Sequence, residues 1–138
     1  MSDTNEWNKR VIEEFRANDG KVGGDFEKVT LLLLHTTGVK SGLPRINPVA
    51  TLPDGEGYVI MASKGGRPTH PDWYYNLVAD PEVTVEVGAD KFEALAKVTE
   101  GPERSALFNK MAAKYPIFSE YQEKTTRVIP VITLTPLR

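Results

Sequence analysis

The sequence predicts an α+β fold in which a mostly antiparallel sheet or barrel packs against helices. About six short apolar segments have the length of strands, and turns of the hairpin type separate most of them. Helical segments are inserted between the strands without the regular alternation of a doubly wound parallel sheet. The chain of 138 residues with 40% hydrophobic content is long enough for one core. We divide it into an N-terminal helix within residues 1–20 and a single domain over residues 21–138.

The first predicted element is an amphipathic helix over residues 6–18. Trp7, Val11 and Phe15 recur every four residues on one face, and a glycine-containing loop follows. This apolar face is expected either to dock on the protein core or to lie on a membrane surface as a peripheral contact. The N-terminus has no apolar run, and no stretch is long enough to span a bilayer, so we expect no signal peptide and a cytoplasmic location, with association at a membrane surface as the alternative.

The next elements form a predicted hairpin region. Residues 29–36 and 45–52 have strand character, and Pro48 in the second strand indicates a sheet edge or a bulge. The Pro-Asp-Gly turn at residues 53–55 precedes a third strand over residues 58–62.

The second half of the chain continues this mixed pattern. Capping-box spacing indicates a helix start, and valines that alternate with polar residues indicate a half-buried strand. The predicted elements are a helix over residues 71–79, strands over residues 83–87 and 91–98, a helix from Gly101 to Pro116, a short helical segment, and a last strand over residues 128–134.

The composition excludes several classes of protein. The chain has no cysteine, which rules out disulfides and thiolate metal sites, and its two histidines, His35 and His70, have no ligand spacing. We therefore expect no metal site. The net charge of −2 predicts no nucleic-acid partner.

The distribution of charge is more informative than its total. Residues 28–71 carry five basic side chains against two acidic ones. Two glycine-containing loops lie in this segment, at residues 35–42 and 63–66, and the second precedes a predicted helix. Amides, hydroxyls and cations in such loops suit an anionic ligand, although plain connecting loops have similar compositions. The basic residues are Lys28, Lys40, Arg45, Lys64 and Arg67.

Aromatic residues follow the second loop, and nucleophilic catalysis has little support. Trp73, Tyr74 and Tyr75 could belong to the core or could enclose a flat ring system. The chain has no convincing Ser-His-Asp spacing. Basic loops and aromatic residues without a nucleophile favour a redox cofactor that supplies the difficult chemistry itself.

Four segments carry a resemblance to a known family. They are LLLLHTTGVKSGLPRINPVA, GYVIMASKGG, HPDWYYNLVADPEVTVEVG and KYPIFSEYQEKTTRVIPVITL. In order and spacing, from about Leu31 to Leu134, they resemble the deazaflavin-dependent nitroreductase family of actinobacteria. The resemblance implies a split β-barrel with peripheral helices, like that of FMN-binding pyridoxamine oxidases, and coenzyme F420 as cofactor. The phosphate and oligoglutamate tail of F420 would explain the basic segment. Because split barrels often pair, a homodimer is also expected.

The resemblance also implies site residues. Lys40 and Arg45 match the lysine and arginine that contact the phosphate and tail, Ser63 is placed near the deazaflavin ring, and Tyr115 over the ring and substrate. Ser63 and Tyr115 are the catalytic candidates, because each hydroxyl could donate to a developing oxyanion. The complete predicted cofactor contacts are Lys40, Ser41, Arg45, Ile46, Asn47, Pro48, Met61, Ala62, Ser63, Lys64, Asp72, Trp73, Asn76 and Tyr115.

The implied activity is hydride transfer from reduced F420 to an electron-poor acceptor such as a quinone, a nitro compound or an activated enone. Some family members that activate nitroimidazoles have three tyrosines in the late segment, where this chain has Phe118 between Tyr115 and Tyr121. The phenyl ring keeps the aromatic wall and removes a hydroxyl donor, which argues against nitroimidazole activation. The alternatives are a non-enzymatic F420 carrier and a split barrel that binds FMN or haem.

Overall fold

The structure is a computed structural model that describes residues 3–23 and 29–137. The side chains of residues 3–5 and of Trp7 are excepted. The predicted apolar contact of Trp7 and the predicted basic residue Lys28 therefore lie outside the described residues.

Within this part of the chain, seven strands form one sheet in which every pairing is antiparallel. The strand order is β2-β1-β5-β6-β7-β4-β3. The sheet curls, so that β2 and β4 approach each other from opposite halves of this order. The predicted antiparallel arrangement is confirmed. The strands are β1 (Leu31–Thr37), β2 (Pro44–Ala50), β3 (Leu52–Asp54), β4 (Gly57–Met61), β5 (Glu82–Val87), β6 (Asp90–Val98) and β7 (Val131–Pro136).

The predicted strand over residues 45–52 is two strands in the structure, which raises the number from six to seven. The division falls at Thr51, where the chain changes partners. β2 pairs with β1 before this residue, and β3 pairs with β4 after it. The amide of Thr51 donates to the carbonyl of Thr30 (2.9 Å), and its hydroxyl donates to the carbonyl of Val59 (2.8 Å). A change of partner leaves no mark on hydrophobic periodicity, so the sequence could not show it.

Four α-helices lie among the described residues in the predicted order. The first begins earlier than the sequence pattern indicates, and the others match it closely. No helix in this part of the chain combines the length and apolar character needed to cross a membrane. The helices are α1 (Asp3–Ala17), α2 (Asp72–Ala79), α3 (Gly101–Lys114) and α4 (Ile117–Glu123), and a 3₁₀ turn covers Lys64–Gly66.

Both faces of β1 are covered, which explains its continuous run of leucines. Leu32 and Leu34 belong to the cluster that includes Leu77 of α2. Leu31 and Leu33 face the other side. Because neighbouring side chains on a strand point to opposite faces, an apolar run without alternation is the expected pattern for such a strand.

Helix α1 docks on the second of these faces. Val11 and Phe15 are buried in a cluster with Leu31 and Leu33. Of the two alternatives for this apolar face, the structure supports docking on the core, because the sheet covers both side chains.

A polar cluster fastens the end of α1 to β5. Arg16 donates from Nε and Nη2 to the two carboxylate oxygens of Glu86 (3.1 and 2.7 Å), and Nε2 of His35 lies 2.6 Å from Oε2 of the same carboxylate. The hydrogen bond from Arg16, followed by that from His35, lowers the pKa of Glu86 to about 2, although burial opposes the shift. Glu86 therefore stays ionised over the whole ordinary pH range.

We expect Glu86→Gln to lower the free energy of unfolding at pH 7 by about 1–2 kcal/mol, a value that allows for solvent screening around the half-exposed Arg16. Because folding lowers the pKa of Glu86 from 4.5, its contribution is complete above about pH 4.5 and disappears as the pH falls towards 2. Urea denaturation at pH 7 and at pH 3 measures both effects. Glu93→Gln, on an exposed position of β6, is the matched control. Equal losses in the two variants would contradict a specific role for Glu86.

Candidate functional site

Two cavities that share Trp73 form the candidate site. The first, here called the aromatic cavity, has a volume of about 500 Å³ and lies between β2, the end of β4 and the start of α4. The second, the basic groove, has a volume of about 870 Å³ and lies between the β1–β2 loop and α2. The two cavities together offer an apolar compartment and a polar one that adjoin at Trp73.

One wall of the aromatic cavity is a row of three aromatic rings. Tyr115, Phe118 and Tyr121 follow one another edge to face, with ring centroids 6.0 Å apart in both pairs and interplanar angles of 72° and 73°. Tyr115 ends α3 and the other two lie on α4, so the break between the helices turns all three rings to the same cavity. Such edge-to-face pairs are a favourable arrangement of aromatic rings.

The hydroxyl of Tyr115 is engaged with the backbone. It accepts from the amide of Thr30 (3.0 Å) and donates to the carbonyl of Thr51 (3.2 Å), and the residue is only 6% exposed. The ring thus lines the cavity while the hydroxyl connects the end of α3 to the residue at which the chain changes strand partners.

A second wall is the segment that follows β4. Ser63 has helical backbone angles, and Lys64, Gly65 and Gly66 all have positive φ (49°, 65° and 80°). A Cβ atom on Gly66 would lie 2.6 Å from the carbonyl oxygen of Tyr121, so only glycine allows this close approach to α4. The backbone course turns Ser63 and Lys64 towards the aromatic cavity.

The Ser63 hydroxyl differs from that of Tyr115. Ser63 is 8% exposed and lines the cavity, and its hydroxyl has no hydrogen-bond partner within residues 3–23 and 29–137. The nearby Nζ of Lys64 donates to the Thr69 hydroxyl (3.2 Å). Ser63 therefore has a donor available for a molecule in the cavity.

A buried amide holds the loop of the basic groove in place. Asn76 of α2, 6% exposed, donates from Nδ2 to the Thr36 hydroxyl (3.1 Å) and accepts the Val39 amide at Oδ1 (3.1 Å). Within the loop, the Gly38 amide donates to the carbonyl of Leu43 (2.8 Å). These bonds fix the backbone on which the charged groups of the groove are carried.

The cations of the groove are exposed and unpaired. Lys40 and Arg45 both line it, and neither forms an ion pair with another described residue. Ser41 lies between them, and Asp72 in the first turn of α2 is the only acidic side chain among the groove's described lining residues. Unpaired cations beside hydroxyl and amide donors suit phosphate and carboxylate groups.

The structure brings together most of the predicted site residues. Ile46 and Ala62 line neither cavity: Ile46 packs against the cluster under α1, and Ala62 is fully buried in the core. Lining the aromatic cavity are Pro48, Met61, Ser63, Lys64, Trp73 and Tyr115. Lining the basic groove are Lys40, Ser41, Arg45, Asn47, Asp72, Trp73 and Asn76.

Sequence reasoning missed other lining residues. Val49 and Ala50 of β2 and Ile117 of α4 line the aromatic cavity, whereas Tyr75, one of the aromatic residues that the sequence offered for enclosing a ring, lines the groove. Their apolar or aromatic character alone could not distinguish them from core residues. A further missed residue, Arg127, contacts the segment that carries Ser63, and its only signal was its place in the last of the four resembling segments.

A curled antiparallel sheet with an aromatic cavity beside a basic groove defines a split-barrel protein suited to a flat, anionic redox cofactor. A family model described as F420H(2)-dependent quinone reductase matches residues 7–136. The chain belongs to this family of F420-dependent oxidoreductases, which confirms the family prediction and coenzyme F420 as the family's cofactor.

Individual relatives support the same family assignment. An F420H(2)-dependent quinone reductase of Mycobacterium tuberculosis (strain H37Rv) is 39% identical over 127 residues, which cover 88% of this chain and 84% of the relative. A solved F420-H2 dependent reductase (FDR-A) has a TM-score of 0.70 at 40% identity, over 75% of this chain and 92% of that one. A structure described as a domain-swapped dimer has a TM-score of 0.72 at 37% identity, and the match covers 95% of this chain and 96% of that one. The split-barrel prediction is confirmed by these similarities.

The residues present fit F420. The unpaired Lys40 and Arg45 supply the charges that a phosphate and an oligoglutamate tail require. The aromatic cavity supplies apolar walls for a planar ring, and Trp73 belongs to both compartments.

We expect Asn76→Ala to lower the free energy of unfolding by about 1–3 kcal/mol, because it leaves two buried hydrogen-bond partners unsatisfied. Exchange of the Val39 amide with solvent should accelerate more than the global loss explains, since that amide loses its acceptor. Denaturation and residue-resolved hydrogen exchange measure these effects. Asn109→Ala, on an exposed position of α3, is the control. Unchanged exchange at Val39 would show that Asn76 does not hold the loop.

Proposed function

We propose that this protein transfers a hydride from reduced F420 to a quinone in the aromatic cavity. The observation that carries the proposal is the pairing of this cavity with the basic groove through Trp73. Family membership and the names of the relatives support the cofactor and the acceptor class.

We assign the anionic part of the cofactor to the basic groove. Lys40 and Arg45 would neutralise the phosphate and the tail, and Ser41 would donate a hydrogen bond. The ring system would lie in the aromatic cavity against Met61 and Trp73. This division matches charge with charge and apolar surface with apolar surface.

The acceptor would share the aromatic cavity. Bound reduced F420 supplies the hydride. The walls formed by Tyr115, Phe118 and Tyr121 exclude water and hold a flat acceptor in one orientation. Ile117, 43% exposed, stands at the cavity wall and offers apolar surface for the substituents of a quinone. Phe118 lacks the hydroxyl donor that some nitroimidazole-activating members of the family have at this position, which argues against nitroimidazoles as substrates.

Two hydroxyls could stabilise the oxyanion that forms on the acceptor. Ser63 is the better candidate, because its hydroxyl has no partner among the described residues, whereas the hydroxyl of Tyr115 already donates to Thr51. Tyr115 in this proposal contributes its ring, and Ser63 donates the hydrogen bond. The proton that completes reduction would arrive from solvent.

Pairing of two copies remains part of the proposal. A relative's description as a domain-swapped dimer supports it, and sedimentation of the purified protein would test it. Contact with a membrane through α1 has no support from Val11 and Phe15, since both pack on the sheet.

We expect the double variant Lys40→Gln/Arg45→Gln to weaken F420 binding about 10- to 100-fold and to flatten its salt dependence, because two charge-assisted contacts are lost. Fluorescence titration against ionic strength measures both effects. Lys21→Gln/Lys91→Gln removes the same charge from exposed positions outside the groove and should bind as the unaltered protein does. Preference of the unaltered protein for FMN over F420 would overturn the proposal.

We expect Ser63→Ala to lower kcat for a soluble quinone about 10- to 100-fold with the F420 dissociation constant unchanged, because an oxyanion donor is lost. Tyr115→Phe should instead lower the free energy of unfolding by about 1–3 kcal/mol and keep kcat within a few-fold. Stopped-flow decay of reduced F420 measures turnover, and thermal denaturation measures stability, in both variants. A large loss of kcat in Tyr115→Phe with kcat kept in Ser63→Ala would make Tyr115 the donor. Tight F420 binding without turnover across a panel of quinones would favour the carrier alternative.

A further inference from the structure

Arg127, in the connection between α4 and β7, directs every nitrogen of its guanidinium to one short segment. Nη1 donates to the carbonyl of Ala62 (3.0 Å), and Nη2 donates to that of Ser63 (2.8 Å). The carbonyl of Arg67 accepts from Nε (3.2 Å) and from Nη2 (3.0 Å). Nη1 also lies 2.9 Å from Nδ1 of His70. All these acceptors lie within residues 62–70.

This segment depends on support from outside. Lys64 has a positive φ of 49°, a conformation that side chains other than glycine rarely adopt, and two glycines with positive φ follow it. Two backbone bonds within the segment are described, from the Gly66 amide to the carbonyl of Ser63 and from the Arg67 amide to that of Lys64, besides the side-chain bond from Lys64 to Thr69. Among the described residues, Arg127 is the only side chain that donates to backbone carbonyls of residues 62–70.

The environment of Arg127 shows that geometry, and not charge pairing, is its contribution. None of its described partners is a carboxylate. Burial lowers the pKa of Arg127, and burial together with the positive charge of Arg127 lowers the pKa of His70. The His70 ring also stacks near Tyr74 and Tyr75, with centroids 4.4 and 5.7 Å away. A neutral His70 whose Nδ1 accepts from Arg127 completes the arrangement.

Arg127 lines neither the aromatic cavity nor the basic groove. We propose that Arg127 is a positioning residue of the cofactor site, which holds residues 62–70 in the conformation that presents Ser63 and Lys64 to the aromatic cavity. This inference rests on the function proposed for that cavity. A displacement of the Ser63 donor by about 1 Å is enough to lower a rate about 100-fold.

The chain offers a matched control in Arg104. It too is a partly buried guanidinium that donates to a backbone carbonyl, that of Ile129 (2.8 and 3.3 Å), and burial lowers its pKa. Its other described contacts are Gln122 (3.1 Å) and the ring of Phe108 (4.5 Å). None of these lies in residues 62–70, although Gln122 also donates to the carbonyl of Arg127 (2.7 Å).

Two variants of Arg127 separate the effect of its planar set of donors from the effect of its charge. Arg127→Lys keeps the charge and loses the planar set of donors, and Arg127→Gln loses both. We expect kcat for a soluble quinone to fall about tenfold or more in both variants, with a much smaller change in F420 affinity. Arg104→Lys should show a comparable loss of thermal stability and an almost unchanged kcat.

A measurement without cofactor completes the test. Since the chain has two histidines, NMR titration resolves His70 from His35. The pKa of His70 should rise in Arg127→Gln and stay low in Arg127→Lys and in Arg104→Lys. Amide exchange of residues 63–66 should accelerate in both Arg127 variants and not in the control. If Arg127→Gln does not fold, Arg127→Lys supplies the kinetic and exchange results.

The outcomes distinguish this inference from the proposed function. Turnover by the unaltered protein, together with equal kcat in Arg127→Lys and Arg104→Lys, would overturn the positioning role alone. Failure of the unaltered protein to bind F420 would overturn the proposed function. In that case the exchange measurement still tests the positioning role. If amide exchange of residues 63–66 is not accelerated in the Arg127 variants, the positioning role is overturned as well; if it is accelerated, the role is supported.

Discussion

The structure depends on the crossing at Thr51, where the chain passes from one half of the sheet to the other. Every polar group of this residue is used. Its amide reaches Thr30, its hydroxyl reaches Val59, and its carbonyl accepts the hydroxyl of Tyr115. A buried crossing without these partners would leave unpaired backbone groups, which is costly in an apolar interior.

The same crossing produces the aromatic cavity. Because the chain passes here from one half of the sheet to the other, residues from both halves line one space: Ala50 precedes the crossing, and Met61 ends the strand that pairs after it. The Tyr115 hydroxyl then attaches the end of α3 to this point, and α4 continues from there with Phe118 as the next ring of the wall. The candidate site therefore lies where the chain crosses between the two halves of the sheet.

The two compartments differ in how much of them the sequence could predict. The charges of the basic groove are visible in the sequence because Lys40 and Arg45 are concentrated in a short segment of an acidic chain. The order of strands and helices follows from periodicity, except that the predicted strand over residues 45–52 is two strands in the structure. The contacts that shape the aromatic cavity join residues far apart, such as Tyr115 with Thr30 and Arg127 with Ser63. Such contacts depend on the tertiary path of the chain, which leaves no periodic signal along it.

The tertiary path also decides which residues of a segment face the candidate site. Ile46 and Ala62 are neighbours in sequence of true lining residues, and alternation along an extended segment turns them away from the site. Tyr115 and Ser63 were both candidates for the donor to the acceptor, but a hydroxyl that satisfies a buried carbonyl, as that of Tyr115 does, can turn to a ligand only by leaving that carbonyl unpaired. The Ser63 hydroxyl has no partner among the described residues, so turning to a ligand leaves none of them unpaired. This hydroxyl is available because the backbone around it is held by Gly66 and Arg127, so the donor can meet the ligand in the conformation that the segment already has.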